Sequence, residues 1–155
     1  MKSRIAYFNK FPRAAQAMLG LQNYVNECGL EYSLVELVKM RASQINGCAY
    51  CLDMHSKDAR AAGETEQRLY LLDAWREAPF YSDRERAALE WTEALTRLGV
   101  HGVPDDIYNA VREHFSEEEL VNLTLAVVAI NGWNRLSIAF RPEVGSYQPA
   151  KAPKA

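Results

Sequence analysis

Apolar residues recur three and four positions apart along almost the whole 155-residue chain, a spacing typical of helices with one buried face. No segment has the sustained alternation of apolar and polar residues that predicts a half-buried β-strand. The pattern therefore predicts an all-α protein, a single-domain bundle of about six or seven helices. The chain is close to the common length of one domain, so a single hydrophobic core is expected.

Capping and stop signals divide this pattern into individual helices. Ser82 and Ser116 are each followed three residues later by a glutamate, Glu85 and Glu119. This arrangement predicts a capping box, in which each residue caps a backbone N–H of the other. The predicted helices span about Pro12–Cys28, Ser33–Gln44, Gly47–Ala62, Glu66–Glu77, Ser82–Leu98, Pro104–Phe115 and Glu117–Phe140.

Residues 1–141 are predicted to form the helical domain, and residues 142–155, rich in Pro, Gly, Lys and Ala, a flexible C-terminal tail. The sequence begins without the apolar segment of a secretory signal peptide. Its longest nearly uninterrupted apolar stretch, Leu123–Ile130, is far shorter than the roughly 20 residues that cross a bilayer. The net charge of -2 disfavours nucleic-acid binding. We expect a soluble, cytoplasmic protein that binds neither membranes nor nucleic acid.

The chain has three cysteines, and two of them, Cys48 and Cys51, lie three residues apart. An odd and small number of cysteines does not fit a secreted fold held together by disulfides. A close pair in a chain of this kind is instead typical of redox chemistry or metal binding.

His55 shares a helical face with the cysteine pair. At about 100° per residue, Cys51 lies roughly 60° from Cys48 around the helix, and His55 projects between them. A helix N-terminus and a nearby imidazole both favour the thiolate form of a cysteine. The arrangement therefore predicts an activated thiol.

Glu36 is a candidate fourth member of this group. If two antiparallel helices meet at Gly47, Glu36 is 11 residues before the turn and His55 is eight after it. At about 1.5 Å per residue, their heights differ by only about 4 to 5 Å. A carboxylate at that position could orient His55 and pass protons.

Two other interpretations of the cysteine pair stay open at this point. Free cysteine is among the most buried residue types, so Cys48 and Cys51 could simply pack in the core. Together with His55 they are also good zinc ligands, although the sequence offers no obvious fourth ligand.

The segment from Glu36 through Cys48-x-x-Cys51 to His55 resembles the signature of the AhpD-like alkylhydroperoxidases, which belong to the carboxymuconolactone decarboxylase superfamily. The resemblance extends from about Leu34 to Thr96. It implies a helical protein that assembles into trimers or hexamers.

The resemblance also implies the role of each site residue. Cys51 would be the peroxidatic thiol, Cys48 the resolving thiol, and Glu36 and His55 the proton relay. One departure is that some members carry a second histidine between the cysteines, where this chain has Tyr50. A relay through that histidine is therefore missing or replaced by the tyrosine hydroxyl.

The resemblance implies a thiol-dependent hydroperoxide reductase that needs neither metal nor organic cofactor and is recycled by an external dithiol, such as a lipoyl protein or a thioredoxin. The alternatives are a dithiol-disulfide oxidoreductase, a non-catalytic redox sensor and, less consistent with the cysteine pair, a lactone decarboxylase. A sensor would not turn over with a reductant, and a decarboxylase would keep its activity without the cysteines.

Overall fold

The computed structural model describes residues 2–149. Within this range the chain folds into eight α-helices and contains no β-strand, as the apolar spacing predicts. A short 3₁₀ turn, Leu72–Ala74, follows the fifth helix. The helices are α1 Tyr7–Lys10, α2 Pro12–Glu27, α3 Tyr32–Asn46, α4 Ala49–Ala61, α5 Glu66–Tyr70, α6 Asp83–Thr96, α7 Asp105–Arg112 and α8 Glu117–Phe140.

Helix α3 is the centre of the bundle, because it packs against α4, α6 and α8. Helix α8 is long and apolar enough to cross a membrane by length and composition alone. In the bundle, however, its residues Leu123, Val127 and Ile130 are almost completely buried in the core. Packing within the protein thus accounts for much of its apolar character.

Both predicted capping boxes are present, at the starts of α6 and α8. The helix predicted over Glu66–Glu77 is wrong in its second half, because α5 ends at Tyr70. The Arg86 guanidinium donates to the backbone carbonyls of Trp75, Arg76, Ala78 and Tyr81. These bonds satisfy backbone carbonyls of the irregular segment that joins the 3₁₀ turn to α6.

The N-terminal segment before α2 packs near the end of α8, and its short helix α1 was not among the predicted helices. The Arg4 backbone N–H donates to the Phe140 carbonyl at 2.9 Å. The Tyr7 and Phe8 rings pack on Phe140 and Trp133, with ring centroids 5.3 and 6.1 Å apart. These contacts place the segment beside the loop that joins α3 and α4.

The turn between α3 and α4 has a φ of 67° at Gly47, a left-handed conformation that glycine adopts without strain. Asn46 before it donates to the side-chain oxygens of Asn131 and Asn134 on α8, at 3.0 and 2.8 Å. Asn134 in turn donates to the Ser43 hydroxyl at 3.0 Å. The polar residues within the apolar α8 therefore fix the turn that precedes the cysteine pair.

Candidate redox site

Cys48 and Cys51 form a disulfide at the beginning of α4. Cys48 is the N-cap residue, and its sulfur accepts a hydrogen bond from the Cys51 backbone N–H at 3.4 Å. Each residue is only 1% exposed. A sulfur at a helix N-terminus faces unpaired backbone N–H groups, which stabilise its thiolate form once the disulfide is reduced.

Glu36 and His55 meet across the α3–α4 hairpin, as its geometry predicts. Glu36 Oε2 lies 2.9 Å from His55 Nδ1, and both residues are almost fully buried, 2% and 6% exposed. The other carboxylate oxygen, Oε1, accepts from Lys39 Nζ at 2.8 Å. Glu36 is therefore held on both oxygens by cationic or hydrogen-bonding partners.

Burial by itself raises the pKa of Glu36, because it disfavours the charged form. The hydrogen bond with His55 and the charges of His55 and Lys39 outweigh that effect, so the pKa of Glu36 lies below its usual value. At neutral pH Glu36 is thus a carboxylate that orients the imidazole and accepts a hydrogen bond from it.

A cavity of about 520 Å³ opens beside Cys51, and Cys51, His55 and Lys39 line it together. The rest of its wall is mostly apolar and comes from four different parts of the chain. The other lining residues are Ser3, Ile5, Ala6, Tyr7, Phe8, Leu19, Gln22, Tyr50, Met54, Trp133, Ser137, Pro142 and Glu143. A small organic molecule that enters this cavity meets the Cys51 side of the disulfide.

Cys48 lines a second cavity, of about 730 Å³. Tyr50 and Pro142 belong to the walls of both cavities. The two cavities therefore adjoin, and each is lined by one residue of the disulfide.

The first residues of the predicted tail contact α4. Lys57 donates to the backbone carbonyls of Gly145 and Tyr147, at 3.2 and 3.0 Å. The Tyr147 hydroxyl donates to Asp58 Oδ1 at 2.7 Å. The last six residues of the tail, 150–155, lie outside the described range.

Glu36, His55 and Asp58 present ligand atoms within 4.8 Å of one another, close enough to surround a metal ion. The ammonium group of Lys39 occupies one oxygen of Glu36 and would repel a cation at this position. With Lys39, the three residues form a cluster of titratable groups linked by hydrogen bonds and charge. The alternative zinc set of Cys48, Cys51 and His55 would require reduction of the disulfide.

The structure thus brings together all four residues singled out in the sequence, and adds Lys39 and Asp58. The sequence held a signal for both. Lys39 follows Glu36 by three residues and Asp58 follows His55 by three, a spacing that places side chains on one helical face. Tyr147 had no local signal, because its contact with α4 is made across 89 residues.

Sequence comparisons place the chain among known relatives. The model of the carboxymuconolactone decarboxylase family matches residues 12–94. The protein YdfG of Bacillus subtilis (strain 168) is 47% identical over 139 residues, which cover 90% of this chain and 95% of YdfG. The protein YnjA of Escherichia coli (strain K12) is 35% identical over 105 residues, 67% of this chain and 54% of YnjA.

Solved structures agree with the sequence comparisons. The crystal structure of ATU0492 from Agrobacterium tumefaciens, described as a candidate antioxidant defence protein AhpD, is 46% identical. It matches with a TM-score of 0.88 and covers 96% of this chain and 99% of its own. The debrominase Bmp8 is 20% identical, with a TM-score of 0.79 over 90% of this chain and 75% of its own. The likeness to Bmp8 indicates a common fold alone.

Proposed function

This chain belongs to the carboxymuconolactone decarboxylase family as an AhpD-like member, and on that premise we propose that it is a thiol-dependent reductase of organic hydroperoxides. The observation that carries the proposal is the redox-capable pair Cys48–Cys51 beside the buried Glu36–His55 pair. The first cavity adds support, because it gives a small organic molecule access to Cys51 and His55 together.

In the proposed first step, reduced Cys51 gives its proton to His55 and the thiolate attacks the O–O bond of the hydroperoxide. The O–O bond breaks, Cys51 becomes a sulfenic acid, and the alkoxide takes the proton from His55. The products are an alcohol and an oxidised Cys51. Glu36 keeps His55 oriented during both proton transfers.

In the second step, the Cys48 sulfur attacks the sulfenic acid of Cys51 and displaces hydroxide, which leaves as water with the Cys48 proton. The hydroperoxide has then been reduced by two electrons and the two thiols have become a disulfide. The 5.4 Å between the two Cα atoms allows this bond without movement of the helix.

An external dithiol would restore the pair by thiol–disulfide exchange. The thiolate of the reductant attacks one sulfur and forms a mixed disulfide with it. The second thiol of the reductant then attacks this mixed disulfide, which frees the reduced protein and leaves the reductant as a disulfide. The cavity beside Cys48 supports an approach from that side, because attack there leaves Cys51 as the thiolate next to His55. A lipoyl group or a thioredoxin-like protein has the required chemistry.

We propose the remaining features on the same premise. The protein would act in the cytoplasm as part of antioxidant defence and would assemble into trimers or hexamers. The Tyr50 hydroxyl, which lines the cavity of Cys51, would stand in for the second histidine of some relatives.

The proposal is tested by adding one equivalent of cumene hydroperoxide to the reduced protein and following its intact mass and free thiols. We expect rapid loss of two thiols and about two mass units, with one equivalent of alcohol formed. Thiols that stay reduced for hours would overturn the proposal. Exchange with a protein disulfide alone would then indicate an oxidoreductase, and activity that survives replacement of both cysteines would indicate a decarboxylase.

A further inference from the structure

Two carboxylates and one ammonium group lie around His55. We call Glu36, Lys39, His55 and Asp58 the His55 cluster. Lys39 neutralises Glu36 through its 2.8 Å ion pair, so these two groups together carry no net charge. Asp58 is the second carboxylate, with an oxygen within 4.8 Å of both His55 and Glu36. It leaves the cluster with one negative charge when His55 is neutral.

No other cation offsets Asp58 within the described chain, where it forms no ion pair with a lysine or arginine. Its neighbour Lys57 is paired with Asp53, at 3.0 Å. The hydrogen-bond partner of Asp58 is the neutral hydroxyl of Tyr147, which fixes one carboxylate oxygen without cancelling its charge. The pKa of Tyr147 is raised by burial and by the hydrogen bond to Asp58, so the hydroxyl keeps its proton.

Among the described groups around the cluster, none is a cation without a carboxylate partner of its own. Tyr32 on α3 stays neutral, because burial and the charges of Glu36 and Asp58 raise its pKa to about 12. On the far side of Glu36, Arg68 is engaged with two carboxylates. The titratable or charged groups that face the cluster are Tyr32, Cys51 and Tyr147, then Tyr7, Tyr50 and Glu143 in the cavity, and Arg68, Glu64 and Glu85 behind Glu36.

We propose that Asp58, oriented by the Tyr147 hydroxyl, is a positioning residue that holds His55 as an imidazolium and thereby favours the Cys51 thiolate. The inference rests on the proposed function only in taking Cys51 as the nucleophile. Asp58 follows His55 by three residues but follows Cys51 by seven, about 10 Å along the helix. Its charge therefore stabilises the imidazolium more than it opposes the thiolate.

The test compares Asp58→Asn with the unchanged protein in the reduced state. The chain has three histidines, so proton NMR can follow each imidazole against pH, and His101 and His114 serve as internal references. We expect the His55 midpoint to fall by about half to one pH unit, since a neighbouring opposite charge typically shifts a titration by that much or more. The midpoint for iodoacetamide alkylation of Cys51, read by peptide mass, should rise, and its rate at pH 7 should fall about threefold to tenfold.

Asp53→Asn is the matched control. Asp53 accepts from Lys57 and from the Gly145 backbone N–H. The variant loses these contacts, while Lys57 still donates to the Gly145 and Tyr147 carbonyls and Tyr147 still donates to Asp58. Its side chain lies about 200° around α4 from His55, and its charge is already neutralised by Lys57. Both midpoints should stay unchanged in this variant.

Two further variants separate charge from structure. Asp58→Glu keeps the charge and should restore both midpoints. Tyr147→Phe keeps Asp58 but removes the group that orients it, and should shift both midpoints in the same direction as Asp58→Asn by a smaller amount. If Asp58→Asn does not fold, Tyr147→Phe alone decides the question.

A His55 midpoint that is the same with and without the Asp58 or Tyr147 group would overturn the inference, as would an equal shift in Asp53→Asn. Neither readout uses a hydroperoxide. The result therefore stands or fails separately from the reductase activity.

Discussion

Two buried carboxylate clusters involve helix α3: Glu36 lies on α3 itself, and Glu93 of α6 binds Arg41 of α3. They differ in whether the partners of the carboxylate can lose a proton near neutral pH. The first is the His55 cluster. The second, which we call the Glu93 cluster, consists of Glu93 with Arg41, Trp75 and Arg76. Glu93 Oε1 accepts from Arg41 Nε and Trp75 Nε1, both at 2.8 Å, and Oε2 accepts from Arg76 at 3.0 Å.

The partners of Glu93 keep their protons at any ordinary pH, since a guanidinium does not lose its proton there and an indole N–H is always a donor. The partners of Glu36 include an imidazole, and its cluster opens to a cavity that also holds Cys51. Glu93 is thus surrounded by donors that keep their protons, whereas Glu36 is paired with an imidazole beside the cavity of Cys51. The Glu93 cluster joins α3 and α6 to the 3₁₀ segment, and we assign it to stability.

The largest expected effect on stability comes from Glu93→Gln. It leaves the buried Arg41 with the exposed Asp73 as its remaining carboxylate partner. We therefore expect a loss near the lower end of the range for a broken buried pair, about 3 kcal/mol in the free energy of unfolding. For a chain of this length, that corresponds to a melting temperature lower by roughly 10 °C. Thermal unfolding measures it. Glu90→Gln, which removes a half-exposed partner of Arg76, should change stability by less than about 0.5 kcal/mol.

The folded Glu93→Gln protein should retain the wild-type rate of oxidation by a hydroperoxide. A large drop in that rate, measured below the melting temperature, would contradict the division between the two clusters.

His55→Asn should have the opposite profile. Removal of the group that exchanges a proton with Cys51 should slow oxidation of the reduced protein about 100-fold, equivalent to about 2.7 kcal/mol of activation free energy. Stopped-flow measurement of thiol loss against hydroperoxide concentration gives this rate. His101→Asn, at an exposed loop position, is the control and should react like the unchanged protein. Equal rates for the unchanged protein, His55→Asn and His101→Asn would show that His55 takes no part in the oxidation.

A smaller effect is expected when acid titrates both clusters. The pKa of each of Glu36 and Glu93 is lowered in the folded state, because hydrogen bonds and cationic partners outweigh the effect of burial. Their contribution to stability is therefore complete above the ordinary value of 4.5 and is lost as the pH falls through the lower folded values. Urea unfolding between pH 3 and 7 should show this decrease. The decrease should be smaller in Glu93→Gln, and an equal slope in both proteins would contradict the assignment.

Much of this molecule could be predicted from local sequence. The capping boxes at Ser82 and Ser116 marked two helix starts, and the spacing from Glu36 to His55 about the Gly47 turn predicted their contact. These features depend on neighbours in sequence or on one hairpin. Their geometry is therefore nearly fixed by helix dimensions.

The rest depended on contacts between distant segments. The irregular segment after Tyr70 has its carbonyls satisfied by Arg86, up to 11 residues further along the chain. The cavity beside Cys51 is lined by Phe8 and Trp133, which are far apart in sequence, and the Tyr147 hydroxyl that binds Asp58 lies 89 residues from it along the chain. No periodicity or local motif encodes such contacts, because they form only after the helices pack.

Trapping the sulfenic acid is the most direct test of the proposal that a hydroperoxide oxidises the Cys51 sulfur. Reduced Cys48→Ser and Cys51→Ser proteins would each be treated with cumene hydroperoxide and dimedone, and the modified peptide identified by mass. If Cys51 is the sulfur that is oxidised, we expect a dimedone adduct on Cys51 in Cys48→Ser and none on Cys48 in Cys51→Ser. An adduct on Cys48, or none in either protein while the wild type still forms its disulfide, would contradict the proposal.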